Sequence, residues 1–265
     1  MSTTKKALAG IALAAAMVTS AQAAPVNVGG VNWDTDYTDV TDFDFMGEFK
    51  FTQWYTTTSS TEALGIIAGN YGSAATFGTV SANFGTTNYY LQGVGEFDRI
   101  NGGFSSGPAF MDAGLELTYA FGGIMLNSDG TTFDISNAWA KVFVNSTTPN
   151  YTTPAGGDSE VLDAQSGLLW LDLKVNLLEF SAGGVGNGTV SAGLEVIGGA
   201  AADYFDPKTI AYTADAFFSD PAAQYSSQGN GSIKGNTTAI PEPGSLALVG
   251  IALAGLGLSA RRRNG

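Results

Sequence analysis

There is no cysteine and no histidine anywhere in this sequence. Without cysteine no disulfide can brace the fold, which must hold by burial alone. Without either residue, zinc sites built on His or Cys are excluded, and so are Ser-His-Asp and Cys-His catalysis. Cations are scarce as well: 11 Lys and Arg stand against 24 Asp and Glu. Five of those 11 sit at the extremities, as Lys5, Lys6, Arg261, Arg262 and Arg263, which leaves Lys50, Arg99, Lys141, Lys174, Lys208 and Lys234. All the acids except Glu242 fall between the same ends, so six cations face 23 acids and the interior segment carries −17, against −13 for the whole chain. A surface of that sign repels nucleic acid and anionic lipid.

Long hydrophobic runs are missing too. The C-terminal apolar stretch, Ser245 to Ala260, has 16 residues. As a helix it would reach roughly 24 Å at 1.5 Å per residue, short of the roughly 30 Å hydrocarbon core. Gly250, Gly255 and Gly257 weaken it further as a helix. Pro241-Glu242-Pro243 precedes it and Arg261-Arg262-Arg263 comes after it. A rigid polar hinge, an apolar helix and terminal cations make a membrane stop, with the arginines in the cytoplasmic-side interface. At the other end, Lys5-Lys6 begins a positive segment, Ala7 to Val18 is apolar, and Ala21-Gln22-Ala23 forms an A-x-A cleavage box. These are the parts of a secretory signal peptide, which places the mature start at Ala24.

The stretch between the two ends reads as strand. Leu169, Leu171, Leu173, Val175 and Leu177 alternate with Trp170, Asp172, Lys174 and Asn176, a period of two with one face buried. Leu115 to Phe121 and Phe49 to Trp54 do the same, and Trp139 to Val144 is apolar on both faces. Further strands are expected at 88–100 and 189–197, and a short turn at Gly198 to Tyr204. Glycines between the runs permit turns and bulges. The expected fold is all-β: a single antiparallel β-sandwich of jelly-roll type, flanked by an N-terminal signal helix and a C-terminal hydrophobic helix. The expected boundaries are 1–23 for the signal peptide, 24–223 for the sandwich, 224–239 for a flexible Ser/Gly/Asn/Thr linker and 240–265 for the C-terminal segment.

Candidate ligand sites are few. Asp34, Asp36, Asp39, Asp42 and Asp44 offer carboxylate oxygens of the kind Ca²⁺ prefers, but the spacing matches no EF-hand loop and the simpler reading is a solvated acidic loop. Asn127, Asp129, Gly130 and Asp134 form a smaller cluster that reads as a turn. Glu96 and Glu116 are a carboxylate pair of the kind a glycosidase uses; on sequence alone they read as structural acids. Trp33, Trp54, Tyr55, Tyr89 and Tyr90 are rings able to stack on sugars, or to fill a core. No catalytic residue is assigned.

The tail, Pro241-Glu242-Pro243 with its apolar span and Arg261-Arg262-Arg263, resembles the PEP-CTERM sorting signal of exopolysaccharide-producing Gram-negative bacteria. That resemblance implies an exosortase-type membrane protease that cuts near Pro-Glu-Pro; a permanent single-span anchor is the other reading. Four short segments of the body resemble the flocculation-associated branch of these proteins: Tyr90-Leu91-Gln92-Gly93-Val94-Gly95-Glu96, Ile100-Asn101-Gly102, Gly114-Leu115-Glu116-Leu117-Thr118-Tyr119 and Gly198 to Asp206. The expected protein is a non-enzymatic export product. It passes through the inner membrane with the help of signal peptidase and reaches the cell surface or extracellular matrix. There it supports exopolysaccharide-dependent floc or biofilm formation, by hydrogen bonding, covalent attachment or Ca²⁺ bridging. A carbohydrate-binding module with a defined sugar site and a carboxylate-dependent glycan hydrolase are the alternatives.

Overall fold

The computed structural model describes residues 25–35, 37, 43–64, 83, 85–102, 110–130, 132–146, 158–184, 187–217 and 227–238. The elements are β1 (Val26–Val28), β2 (Val31–Trp33), β3 (Phe45–Thr56), β4 (Tyr89–Ile100), β5 (Glu116–Leu126), β6 (Phe133–Asp134), β7 (Trp139–Asn145), a short helix α1 (Asp158–Asp163), β8 (Leu168–Gly184), β9 (Asn187–Gly198), a 3₁₀ turn (Ala202–Tyr204), β10 (Phe205–Phe217) and β11 (Ser227–Thr237). The expected signal and C-terminal helices lie outside the described residues. Among the described residues, no helix is long and apolar enough to cross a membrane.

The sandwich expectation is overturned. Eight strands run β3-β4-β5-β7-β8-β9-β10-β11, each antiparallel to the next, and β11 returns to pair with β3. The sheet is a closed up-and-down barrel with one wall, not two facing sheets, and closure removes both sheet edges. Bulges supply the bending: the register shifts between Glu48 and Phe49, Leu91 and Gly93, Val142 and Phe143, and at three points along β8. The linker expectation fails as well. Residues 227–237 are the strand that closes the barrel, paired with β10 on one side and β3 on the other.

Large side chains and glycines share the interior. Phe49 and Phe51 of β3 face inward beside Gly231 and Gly229 of β11. A Cβ on Gly231 would lie 2.5 Å from Phe49 Cζ, and one on Gly229 would lie 2.4 Å from Phe51 Cζ. The rings therefore occupy the space that β11 leaves bare. Gly95 does the same for Tyr119, whose Cε1 would be 2.5 Å from an added Cβ. Phe49 also meets Phe97 at 5.7 Å, Tyr119 at 5.2 Å and Tyr212 at 5.3 Å between ring centroids, an aromatic cluster at mid-barrel.

One end of the barrel, the base, is closed by the β1–β2 hairpin. Its two-residue turn, Gly29-Gly30, has φ of +63° and +96°, the positive values a tight hairpin turn demands. The hairpin brings Trp33 edge-on to Trp170 at 5.6 Å and to Tyr204 at 5.5 Å, above Phe45 and Phe205. Trp170 Nε1 donates to the Val28 carbonyl at 3.1 Å.

Outside the wall, Trp54, Val94, Ala120 and Trp139 form a second small core with Leu64, Val161 and Ala164. This cover explains why β7 is apolar on both faces. Gln165 bonds the Leu64 backbone twice, at 2.7 and 3.1 Å, and Thr118 Oγ1 donates to the Ala164 carbonyl at 2.8 Å. Elsewhere the outer face carries Lys50, Lys174, Asn176, Thr189, Ser191, Glu195, Thr213 and Asp215. A barrel that meets lipid needs an apolar outer band, and this one turns its apolar face inward.

Candidate functional site

Two places on the molecule carry function-bearing residues: the point where the chain leaves the barrel, and an outer face of β3, β4, β10 and β11. At the first, β11 ends at Thr237. Asp44, just before β3, accepts the Thr237 backbone N–H at 2.5 Å and its hydroxyl at 3.1 Å. Trp33 Nε1 donates to the same hydroxyl oxygen at 3.3 Å. One residue on, the Thr238 N–H donates to the Tyr204 carbonyl at 2.8 Å. The last residues of the barrel are thus fixed by the hairpin, the β3 entry and the 3₁₀ turn together.

Residues 239–263 match the family model described as the PEP-CTERM protein-sorting motif. This is a sorting tail. The protein is an exported one, processed at its C-terminus by an exosortase and anchored to or released at the cell surface. The PEP-CTERM match takes in Pro241, Glu242, Pro243 and Arg261 to Arg263; these residues, and Ala21 and Ala23 of the expected cleavage box, lie outside the described structure. No curated protein and no solved structure matches the chain. The PEP-CTERM motif begins at residue 239 and the closing strand stops at residue 237, so the sorting signal adjoins the folded wall with Thr238 alone between them.

Asn101 links the described ends of the acidic segment ahead of β3. Its side chain donates to the carbonyls of Asp34 and Asp44 at 3.0 and 2.9 Å, and its oxygen accepts the Met46 N–H at 2.8 Å. Of the five aspartates weighed for Ca²⁺, Asp36, Asp39 and Asp42 lie outside the described residues, and the Asp44 carboxylate is engaged with Thr237. Among the described residues no group of three or more acids is gathered as a metal site. The Asn127 cluster is a turn. The Asp129 carboxylate accepts the Thr132 N–H and hydroxyl at 3.0 and 2.8 Å, and Gly130 sits at φ +66°. The Ser136 hydroxyl, and then the Ser136 N–H at 2.8 Å, donate to Asp134 and hold its carboxyl below the usual range.

On the outer face a shallow depression of about 660 Å³ is lined by Glu48, Lys50, Glu96, Asp98, Asp215, Asn230 and their neighbours. Register sets this row: Lys50 lies between Asn230 and Glu96, and Ser232 lies between Glu48 and Thr213. Lys50 pairs with Asp98 at 2.9 Å, and Arg99 pairs with Glu48. Burial raises the Glu96 carboxyl above its usual range, and the neighbouring Glu116 and Asp98 charges add to the shift. Burial also raises Glu116. Glu96 lines the depression and Glu116 does not. The rings weighed for sugar stacking are core instead: Trp33, Trp54, Tyr55 and Tyr89 are 3%, 1%, 1% and 4% exposed. Tyr90 is half-buried on the outer face.

Sequence reasoning missed Asn101 and Thr237. Asn101 had one visible signal, the Asn-Gly pair at the end of β4, which favours a left-handed backbone; its φ is +51°. Thr237 carried none.

Proposed function

We propose that the processed barrel is a structural component of an exopolysaccharide matrix, supporting floc or biofilm cohesion without catalysing a reaction. The observation that carries this reading is the PEP-CTERM motif joined directly to the closing strand. Such a joint delivers a finished, edgeless body to the surface. The polar outer face supports it further. Short hydroxyl, amide and carboxylate side chains on adjacent strands, Thr213, Asp215, Asn230 and Ser232 among them, present hydrogen-bond donors and acceptors suited to neutral sugar hydroxyls. The resemblance of the 90–96, 100–102, 114–119 and 198–206 segments to the flocculation-associated branch points the same way. The partners of this reading are signal peptidase, the exosortase, extracellular polysaccharide and, in transit, the inner membrane; nucleic acid is no partner of so acidic a surface. A chain lacking Pro241 onward is expected to leave cells dispersed while the barrel is still made; unchanged aggregation would count against the proposal.

A polysaccharide contact at the outer depression is the more specific form of this reading. It relies on hydrogen bonding, because the buried tryptophans are not available for stacking. Asn230→Ala with Asp215→Ala is expected to weaken retention of the processed protein on isolated matrix polysaccharide by several-fold. Retention equal to the unmodified chain would return the contact to another face.

A further inference from the structure

The barrel interior is unevenly filled. On one side Phe49, Phe51 and Phe97 crowd the wall, whereas β9 and β10 turn Gly188, Ala192 and Ala214 inward. A chamber of about 100 Å³ remains between them. It runs from mid-barrel toward the end away from the base. Trp33, Phe45, Trp170 and Phe205 of the base do not border it, whereas Tyr55, Leu91 and Gly188, close to the opposite strand ends, do. Cavities of this order, about 150 Å³ in one engineered case, take up benzene-sized molecules when their walls are apolar.

Polar side chains share this wall. Gln53 continues the inward alternation of Phe49 and Phe51 and is 7% exposed. Its amide has no hydrogen-bond partner among the described residues, and it is not sealed off from open space as the Tyr119 hydroxyl is. At an inward position that open surface belongs to the chamber. The Tyr212 hydroxyl also lacks a partner among the described residues, on a ring stacked against Phe49 at 5.3 Å in mid-barrel. Tyr55 is 1% exposed and presents almost no surface to the chamber. An interior amide left without a bond costs about 1–3 kcal/mol, which a bound polar group would offset. A few polar groups set in an apolar wall are what orient the occupant of a small-molecule site.

We propose that the chamber takes an uncharged molecule with a slender apolar body and one polar end, the body beside Phe49 and Phe51 and the polar end bonded to the Gln53 amide. The order of residues along β3 sets this orientation. Gln53 lies four positions beyond Phe49, roughly 13 Å farther from the base at 3.3 Å per residue. A polar end there keeps its remaining hydrogen bonds with water, whereas at Tyr212 it would lie among rings. An amide both donates and accepts, so a hydroxyl, a carbonyl or a neutral amide can serve as that end. A charged end is excluded, because among the described residues no lysine, arginine, aspartate or glutamate lines the chamber to offset its desolvation. The site does not depend on the polysaccharide contact of the outer face.

The test uses the processed protein recovered from cells and two probes with the same chain, 1-hexanol and hexanoate at neutral pH. Saturation-transfer NMR should show one saturable site for 1-hexanol and binding weaker by about tenfold or more for hexanoate, whose charge would lose its water. Gln53→Met keeps the length of the side chain and removes the amide. It should lower 1-hexanol affinity by about fivefold, the worth of one hydrogen bond. It should also raise the melting temperature of the ligand-free protein, because the unpaired amide is gone. Tyr212→Phe should leave the affinity unchanged. Ala192→Leu fills the chamber and should abolish binding with cooperative thermal unfolding retained, and the smaller Ala192→Val should weaken it. The inference is overturned if the parent shows no saturable binding, if hexanoate binds as tightly as 1-hexanol, if Gln53→Met binds like the parent, or if Tyr212→Phe weakens binding more than Gln53→Met does.

Discussion

The base of the barrel and its middle are built on opposite plans. At the base, Trp33, Phe45, Trp170 and Phe205 interlock, Trp33 and Trp170 spend their indole N–H groups on bonds across elements, and Asp44 secures the end of β11. At the middle, rings lean on glycines on one side and small residues leave a chamber on the other. The two regions differ in what they join. The base carries the covalent joint to the PEP-CTERM tail, so slack there would let the closing strand fray. The middle carries no such joint and tolerates imperfect filling.

The sharpest way to break the comparison is to cut on either side of β11. A chain ending at Ser226 lacks β11 and leaves the edges of β3 and β10 unpaired; it is expected not to fold, as read by loss of cooperative thermal unfolding. A chain ending at Thr238 is expected to melt like the processed protein. Next in size is Trp170→Ala at the base, where the side chain is fully buried; it should cost about 3–5 kcal/mol in denaturant titration. Two additions then test the middle. Gly231→Val drives a Cβ to 2.5 Å from Phe49 Cζ and 2.6 Å from the Thr213 carbonyl oxygen, and should cost about 3 kcal/mol or more. Ala192→Val adds carbon on the chamber side and should change stability by less than about 1 kcal/mol. Equal costs would mean that the two sides are equally filled.

The smallest effect lies on the outer wall. The Glu96 carboxyl is raised by burial and by its acidic neighbours, so the folded state holds that proton more tightly than the unfolded chain. The folded state is then favoured below the ordinary glutamate value of 4.5 and loses that advantage as pH rises through the raised value. Glu96→Gln should accordingly raise the melting temperature slightly at neutral pH, and the gain should vanish on acidification below that ordinary value.

Much of the wall was legible from alternation. The runs around Leu117, Val142 and Leu173 are strands of the expected period, and Trp139 to Val144 is covered on both faces as its composition implied. The step from sandwich to barrel was not legible, because the same inward-outward alternation serves both. What decides is pairing between distant strands, β11 with β3, and local periodicity is silent on it. Strand β11 itself was hidden. Its inward positions are Gly229, Gly231, Ile233 and Gly235, so it reads as linker until Phe49 and Phe51 are seen to fill the space its glycines leave. The rings Trp33, Trp54 and Tyr55 had two readings in sequence, sugar platform or core, and burial decides for core. The sorting tail needed no fold at all, since its signal is the linear order of Pro241-Glu242-Pro243, apolar span and arginines.

The central claim is that the exported body is a barrel closed by residues 227–237, with C-terminal processing confined to residues beyond that strand. Mass spectrometry of the protein recovered from the cell surface or extracellular matrix tests it most directly. The account predicts a mature start at Ala24 and a C-terminus after Thr238, with β11 retained whole. A C-terminus within residues 227–237, or recovery of chains that all keep Arg261 to Arg263, would contradict it.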